Sequence, residues 1–172
     1  NFVYATAAEA FDLAIEGGYN SNCTSQTLNS SNTILDGNQA GSVLAISAGE
    51  LNVNFDVKGL TLRNGKRPSG DGGGLYAAVG NDGSIGIDSC AIENNNANDY
   101  GGGISIWANS AIVNITNSNI IDNSGGSGGG FYINAESGAV ALKSNNITQN
   151  HAVNGAGGGA HINATSSTVV FS

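Results

Sequence analysis

Apolar and polar residues alternate along most of the chain after residue 40, in short runs that recur at a nearly constant spacing. Alternation with a period of two residues is typical of β-strands, because successive side chains point to opposite faces. The first run of each repeat gives two inward columns: Leu44, Leu75, Ile104, Phe131 and Ala160, then Ile46, Ala77, Ile106, Ile133 and Ile162. Since no window in this region has the i, i+3, i+4, i+7 pattern of a helix, the pattern predicts an all-β chain.

Two further runs follow the first in each repeat. The inward columns of the second run are Phe55, Ile85, Val113, Val140 and Val169, then Val57, Ile87, Ile115, Leu142 and Phe171. Those of the third, shorter run are Leu60, Cys90, Ser118 and Asn145, then Leu62, Ile92, Ile120 and Ile147. Three strands in each repeat predict a three-sided parallel β-helix over residues 41–172. It would have about 5–6 rungs of about 27–31 residues, stacked about 4.8 Å apart.

Glycine and asparagine mark two corners of the predicted β-helix. Gly-Gly-Gly triplets begin at Gly72, Gly101, Gly128 and Gly157, and their middle residues are Gly73, Gly102, Gly129 and Gly158. Without a Cβ, these glycines allow positive φ and let neighbouring rungs approach closely. The other corner carries Asn95, Asn123 and Asn150, each three residues after the last inward Ile. Stacked Asn side chains can hydrogen-bond along the axis and also tolerate left-handed backbone angles, so we interpret both sets as structural turns.

The two corner motifs together resemble the repeat of polymorphic outer membrane proteins. The glycine motif with its apolar residue occurs as Gly73-Gly74-Leu75, Gly102-Gly103-Ile104, Gly129-Gly130-Phe131 and Gly158-Gly159-Ala160. The second motif occurs as Ile92-Glu93-Asn94-Asn95, Ile120-Ile121-Asp122-Asn123 and Ile147-Thr148-Gln149-Asn150. The resemblance covers about residues 41–172 and departs from the family in having Gly for Ala and Ile for Phe. It implies a right-handed parallel β-helix displayed outside a bacterial cell, typically in adhesion.

Residues 1–40 do not follow the repeat. Thr6-Ala7-Ala8-Glu9 fits a capping box and predicts a short helix, whereas Phe11, Leu13 and Ile15 alternate like a strand. We interpret residues 1–40 as an N-terminal cap and a first incomplete turn, because repeat arrays need caps over their apolar ends. At the other end, the alternation runs to Phe171, which predicts a strand with an open edge. We therefore expect self-association through exposed ends of the solenoid, end to end into a filament.

Charge narrows the range of partners. The chain carries 13 acidic and 5 basic residues, for a net charge of −8. This balance disfavours nucleic acid and anionic membranes, and no apolar run reaches the roughly 18 residues of a membrane span. The low-charge surface, rich in Asn, Ser, Thr and Gly, predicts an extracellular or cell-surface location. The predicted register also stacks Lys58 on Asp88 and Arg63 on Glu93 as opposite charges one rung apart.

Candidate chemistry is sparse, and no catalytic residue is predicted. A glycosidase needs two facing carboxylates, and the best pair, Asp56 and Asp88, has Lys58 beside both. His151 and His161 have no third ligand, which disfavours a zinc site. The turns Asp36-Gly37-Asn38 and Asn81-Asp82-Gly83 are either calcium ligands or plain turns, so calcium is the one cofactor that stays open.

Cysteine usage leaves two alternatives. Cys23 and Cys90 are the two cysteines, and they are either free thiols or one disulfide. We favour free thiols, with Cys90 packed as a small buried hydrophobe.

Aromatic side chains form the most distinctive outward feature. Tyr76, Trp107 and Tyr132 lie on three consecutive predicted rungs of one face, and His161 follows on the next. Such rings stack on sugars or bury against a partner, and the alternative is that they shield the sheet or lie under a loop. Two functional hypotheses result: an extracellular structural or adhesive β-solenoid whose partners are glycans or a host surface, or a domain that binds or degrades polysaccharide.

Overall fold

The protein is an all-β solenoid of about five turns built from parallel strands. The computed structural model describes residues 2–5, 11–49, 51–80 and 82–172. Within these residues the one helical element is a 3-10 turn at Ser30–Asn32, and none of their helices could cross a membrane. The capping box predicted at Thr6–Glu9 lies outside the described residues. The right-handed winding stays a prediction.

Two long sheets contain six strands each, and every strand pairs in parallel with its equivalent one turn away. The strands of the first sheet are Phe2–Ala5, Leu44–Ser47, Leu75–Val79, Ile104–Ala108, Phe131–Ala135 and Ala160–Ala164. The strands of the second sheet are Leu13–Glu16, Asn54–Lys58, Ser84–Asp88, Ile112–Thr116, Ala139–Lys143 and Thr168–Phe171. Both sheets match the first and second runs predicted from the alternation.

Two narrower sheets complete each turn. The third sheet contains Ile34–Asp36, Thr61–Arg63, Ala91–Glu93, Asn119–Ile121 and Asn146–Thr148, which agrees with the third predicted run. The fourth sheet contains Lys66–Arg67, Asn96–Ala97, Ser124–Gly125 and His151–Ala152, and it was not predicted. Its strands are two residues long, which is too short for an alternating pattern to appear.

The core is formed by the predicted inward columns, except at Phe171 in the last turn, which is 66% exposed. Leu44 pairs with Leu75, Leu75 with Ile104, and Ile104 with Phe131, and all four side chains are completely buried. The other columns follow the same register. Burying each such side chain contributes about 1.5–3 kcal/mol, so the stacked columns are the main source of stability.

The N-terminal segment supplies one strand to each of three sheets. Phe2–Ala5, Leu13–Glu16 and Ile34–Asp36 pair with the strands of the next turn. Leu13 and Ile15 are partly buried and pack on the core, as the alternation predicted. This segment contributes no strand to the fourth sheet, within the residues described.

The left-handed backbone positions differ from those expected. In the asparagine corner they fall one residue earlier than the stacked column, at Asn64, Asn94, Asp122 and Gln149. In the glycine corner they fall on the first residue of each triplet, at Gly72, Gly101, Gly128 and Gly157. The middle glycines have a different role. A Cβ on Gly73 would lie 2.5 Å from the carbonyl oxygens of Asn96 and Gly102, so only glycine allows the rungs to approach this closely.

The predicted charge pairs are neighbours in register but choose other partners. Lys58 Nζ lies 3.1 Å from Asp56 and 3.8 Å from Glu16, rather than bonding to Asp88. Arg63 Nε donates to Asp36 at 2.9 Å, on the turn opposite to Glu93. In both cases the basic side chain pairs with an acid other than the one predicted.

Both cysteines are free thiols, as favoured from the sequence. Cys23 is exposed and Cys90 is buried. Burial raises the pKa of the Cys90 thiol to about 11.

Candidate ligand-binding groove

The aromatic residues predicted from the sequence lie on the outward face of the first sheet. Tyr76, Ser105, Tyr132 and His161 form one outward column, with one residue on each turn. Trp107 lies in the neighbouring column, on the same turn as Ser105. The strand register keeps the two columns that the period-two pattern defines.

A fifth aromatic residue joins this face. Tyr100 precedes the triplet that begins at Gly101, and its ring stacks on Tyr132 with centroids 4.5 Å apart. Trp107 lies 6.1 Å from Tyr100 and 5.6 Å from Tyr132, and His161 meets Tyr132 edge-on at 5.2 Å. We call Tyr100, Trp107, Tyr132 and His161 the aromatic cluster.

The aromatic cluster is layered rather than flat. Tyr132 is only 6% exposed, because Tyr100 covers it, whereas Tyr100 itself is 38% exposed. Tyr132 therefore shields the sheet, which was the alternative weighed from the sequence. Tyr100, which the sequence reasoning missed, presents its ring to solvent.

Buried polar atoms lie on the same face as the cluster. Ser105 is fully buried between the turns that carry Tyr76 and Tyr132. Its Oγ and the Nδ1 of His161 have no hydrogen-bond partner among the described residues. An unpaired buried polar atom costs stability.

Asp71 fixes the position of two members of the aromatic cluster. Its Oδ1 accepts a hydrogen bond from the backbone N of Tyr100 at 3.1 Å, and its Oδ2 accepts one from Trp107 Nε1 at 3.1 Å. Burial raises the pKa of Asp71, although these two hydrogen bonds oppose the shift. Burial also raises the pKa of Tyr76, helped by the negative charge of Asp71.

A groove of about 520 Å³ runs beside the exposed ring of Tyr100. It crosses four successive turns, and its lining is Gly70, Asp71, Asn98, Asp99, Tyr100, Gly126, Ser127, Asn154 and Gly155. Asp99 is held in place because its Oδ2 accepts a hydrogen bond from the backbone N of Gly70 and its Oδ1 accepts one from Asn98 Nδ2. The groove combines one aromatic ring with carboxylate, amide and hydroxyl groups on a rigid frame.

The asparagine column lies inside the fold and has a structural arrangement. Asn95 Nδ2 donates to Asn123 Oδ1, and Asn123 Nδ2 donates to Asn150 Oδ1, both at 3.0 Å. The same oxygens accept from the backbone N of Asn95 and Asn123. Each Nδ2 also donates to a carbonyl oxygen of the third-sheet strand one turn earlier, so the side chain continues the hydrogen bonding between turns around the corner.

The remaining candidate residues are engaged in local contacts. Burial acts to raise the pKa of Asp88, but hydrogen bonds from Thr116, Asn117 and Ser89 outweigh it and hold that pKa below its ordinary value. The nearby Asp56 is paired with Lys58.

One of the two turns considered for metal binding, at Asp36, is engaged in local contacts. Asp36 accepts hydrogen bonds from Arg63, Asn64 and the backbone N of Asn38, as a turn residue does. Asn81 lies outside the described residues. His151 lies in the fourth sheet and His161 in the first. The residues described contain no group of three or more His, Cys, Asp or Glu placed to hold a metal ion.

The fold and the groove define a parallel β-solenoid with a polar, aromatic-edged groove along one corner. Comparison of the chain with models of protein families, with curated proteins and with solved structures found no match. The residues of the groove are therefore the basis for a proposed function.

Proposed function

We propose that this protein is an extracellular adhesive β-solenoid that binds glycans in the groove beside Tyr100. The observation that carries the proposal is the exposed Tyr100 ring at the edge of a groove lined by Asn98, Asp99 and Asn154. An aromatic face accepts the apolar side of a sugar ring, and carboxylate and amide groups accept or donate hydrogen bonds to its hydroxyls.

Preorganisation supports binding by this ring. Tyr100 stacks on the buried Tyr132, and its backbone N is held by Asp71. A side chain that is already ordered loses little conformational entropy when a ligand docks, so more of the contact energy appears as affinity.

The shape of the groove favours a linear ligand. Its lining comes from four consecutive turns, and strands one turn apart are separated by about 4.8 Å. The lining therefore extends about 14 Å along the axis, which accommodates several linked sugar rings and not merely one.

The proposal also includes display outside the cell and a role in adhesion. A surface rich in Asn, Ser, Thr and Gly suits the outside of a cell, and the glycine and Ile-x-x-Asn motifs resemble those of polymorphic outer membrane proteins, many of which are displayed adhesins. A right-handed winding belongs to the same proposal. Self-association of solenoid ends into filaments stays a prediction, which sedimentation over a wide concentration range tests.

The chain's one tryptophan provides a direct assay. Trp107 lies 6.1 Å from Tyr100, so its fluorescence should change when a sugar stacks on that ring. We would titrate the protein with oligosaccharides chosen from a glycan array and repeat the titration with Tyr100→Ala. The matched control is Tyr19→Ala, because Tyr19 is 43% exposed and lies in the N-terminal segment.

The expected result is saturable binding that Tyr100→Ala abolishes and Tyr19→Ala leaves unchanged. An array without hits, or equal binding by both variants, would overturn the proposal.

A further inference from the structure

All of the charged residues that line the groove are acidic. Of its nine lining residues, the charged ones are Asp71 and Asp99, and both are acidic. The chain as a whole carries a net charge of −8. A ligand with carboxylate or sulfate groups would meet repulsion from the site and from the rest of the protein.

The two carboxylates differ in their surroundings. Asp71 is half-buried, and Asp99 is exposed at the opening of the groove. Burial raises the pKa of Asp71, the nearby negative charge of Asp99 adds to that shift, and the positive charge of Arg67 opposes it. The two ionised carboxylates therefore repel each other, Arg67 offsets only part of that repulsion, and a positive group placed in the groove would relieve it further.

Asp99 can still receive donors from a ligand. Its two internal hydrogen bonds come from Gly70 N and Asn98 Nδ2, and an ionised carboxylate has about four acceptor positions. An ammonium group offers three N–H donors and matches such a site.

We propose that the groove selects glycans that carry free amino groups, with Asp99 as the residue that binds the ammonium beside the sugar ring on Tyr100. This inference rests on the proposed function, since it names the class of glycan that the same groove binds. Asp71 acts as a positioning residue, because both of its oxygens already accept hydrogen bonds from Tyr100 and Trp107.

The test compares three oligosaccharides of equal length by Trp107 fluorescence at about pH 5.5, where a primary amine is protonated. The probes are a glucosamine oligomer, its fully N-acetylated form and a galacturonate oligomer. Each is titrated against the parent protein, Asp99→Asn and Asp122→Asn. Asp122 is an exposed carboxylate in the asparagine corner, so its substitution removes the same charge outside the groove.

We expect the glucosamine oligomer to bind about tenfold more tightly than the N-acetylated form, because hydrogen bonds to charged groups are stronger than neutral ones. Asp99→Asn should remove this tenfold preference and leave the affinity for the N-acetylated form unchanged. Asp122→Asn should leave both affinities unchanged, and the galacturonate oligomer should bind most weakly. Raising the salt concentration should reduce the preference, since part of it is electrostatic.

Distinct outcomes separate the two proposals. If none of the oligosaccharides binds, the proposed function fails, and this inference fails with it. If the N-acetylated oligomer binds as tightly as the glucosamine oligomer, or Asp99→Asn behaves like Asp122→Asn, only the inference fails. A lysine oligomer that binds as tightly as the glucosamine oligomer would also overturn it, since the groove would then recognise charge without sugar.

Discussion

The inner and outer sides of the glycine and asparagine corners are built from the same short segments. They differ in how much the residue at an equivalent position changes from one turn to the next. On the inner side, a middle Gly recurs on four turns and a stacked Asn on three of them, with Gly65 at the Asn position of the first. On the outer side, the residue before each triplet changes at every turn: Asp71, Tyr100, Ser127 and Ala156. The inner side is constrained by the turns above and below it, whereas the outer side is free to carry specificity.

The physical basis of this difference is hydrogen-bond satisfaction. Asn123 is 1% exposed, and its amide joins three consecutive turns. Any other side chain there would leave buried donors and acceptors unpaired. Outside, water satisfies the polar groups that a substitution releases, so the groove can change at little cost to the fold.

The largest effect should come from adding one methyl group to the inner side. A Cβ on Gly102 would collide with the carbonyl oxygens of Ser124 and Gly129, both of which belong to fixed backbone. Gly102→Ala should destabilise the protein by more than about 4 kcal/mol, measured by urea unfolding. The matched control is Gly158→Ala, where the nearest backbone atom, the Asn150 carbonyl oxygen, is 3.0 Å away. Equal losses from the two variants would show that close approach of turns is not the reason for the middle glycine.

Breaking the asparagine column should have the next largest effect. Asn123→Ala removes the acceptor for Asn95 and the donor to the carbonyl oxygen of Ile92, and it leaves both partners buried. Each unsatisfied group costs about 1–3 kcal/mol, so we expect a total loss of at least about 2 kcal/mol in the free energy of unfolding.

The control for the asparagine column is an exposed asparagine on a strand. Asn114→Ala on the second sheet should change the free energy of unfolding by no more than about 0.5 kcal/mol. A loss from Asn123→Ala no larger than that of this control would contradict a structural role for the column.

Alkaline pH should lower the free energy of unfolding, because the buried Cys90 thiol loses its proton. Burial raises its pKa from an ordinary value of 9.0 to about 11, so the folded state keeps the thiol proton to a higher pH than the unfolded chain does. Stability therefore falls as the pH rises from about 9 to about 11, and the total loss is at most about 3 kcal/mol.

The measurement is the free energy of unfolding across this pH range, with Cys90→Ala as the control because it removes the titrating group. If both proteins lose stability equally, Cys90 is not responsible.

A thiol reagent at pH 8 should label Cys23 alone in the folded protein and both thiols after denaturation.

The sequence predicted the inner side of the molecule far better than the outer side. Columns such as Leu44, Leu75, Ile104 and Phe131 follow from alternation and a fixed period, because a one-residue slip would turn every apolar side chain outward. The hydrogen-bonded Asn95, Asn123 and Asn150 follow from the same period.

The features that could not be predicted have no period. The two-residue strands of the fourth sheet are too short to alternate. Tyr100 lies in a loop, where its direction depends on the contacts of Asp71 and Tyr132 rather than on a strand. Arg63 has an acid on each neighbouring turn, Asp36 and Glu93, and it pairs with Asp36. The sequence pattern does not distinguish these two partners.

The smallest effect on stability should come from the exposed ring of the groove. Tyr100→Ala removes a stacked contact with Tyr132 but opens no enclosed cavity, so we expect a loss of about 1 kcal/mol, together with a red shift in the emission of Trp107 as water reaches it. The contrasting variant is Tyr132→Ala, which deletes a buried ring and should cost about 3 kcal/mol or more. If Tyr100→Ala costs as much as Asn123→Ala, then Tyr100 belongs to the scaffold, and the outer side is not free to vary. A loss near 1 kcal/mol, with glycan binding abolished, would place its role in recognition, because the ring would then contribute more to the ligand than to the fold.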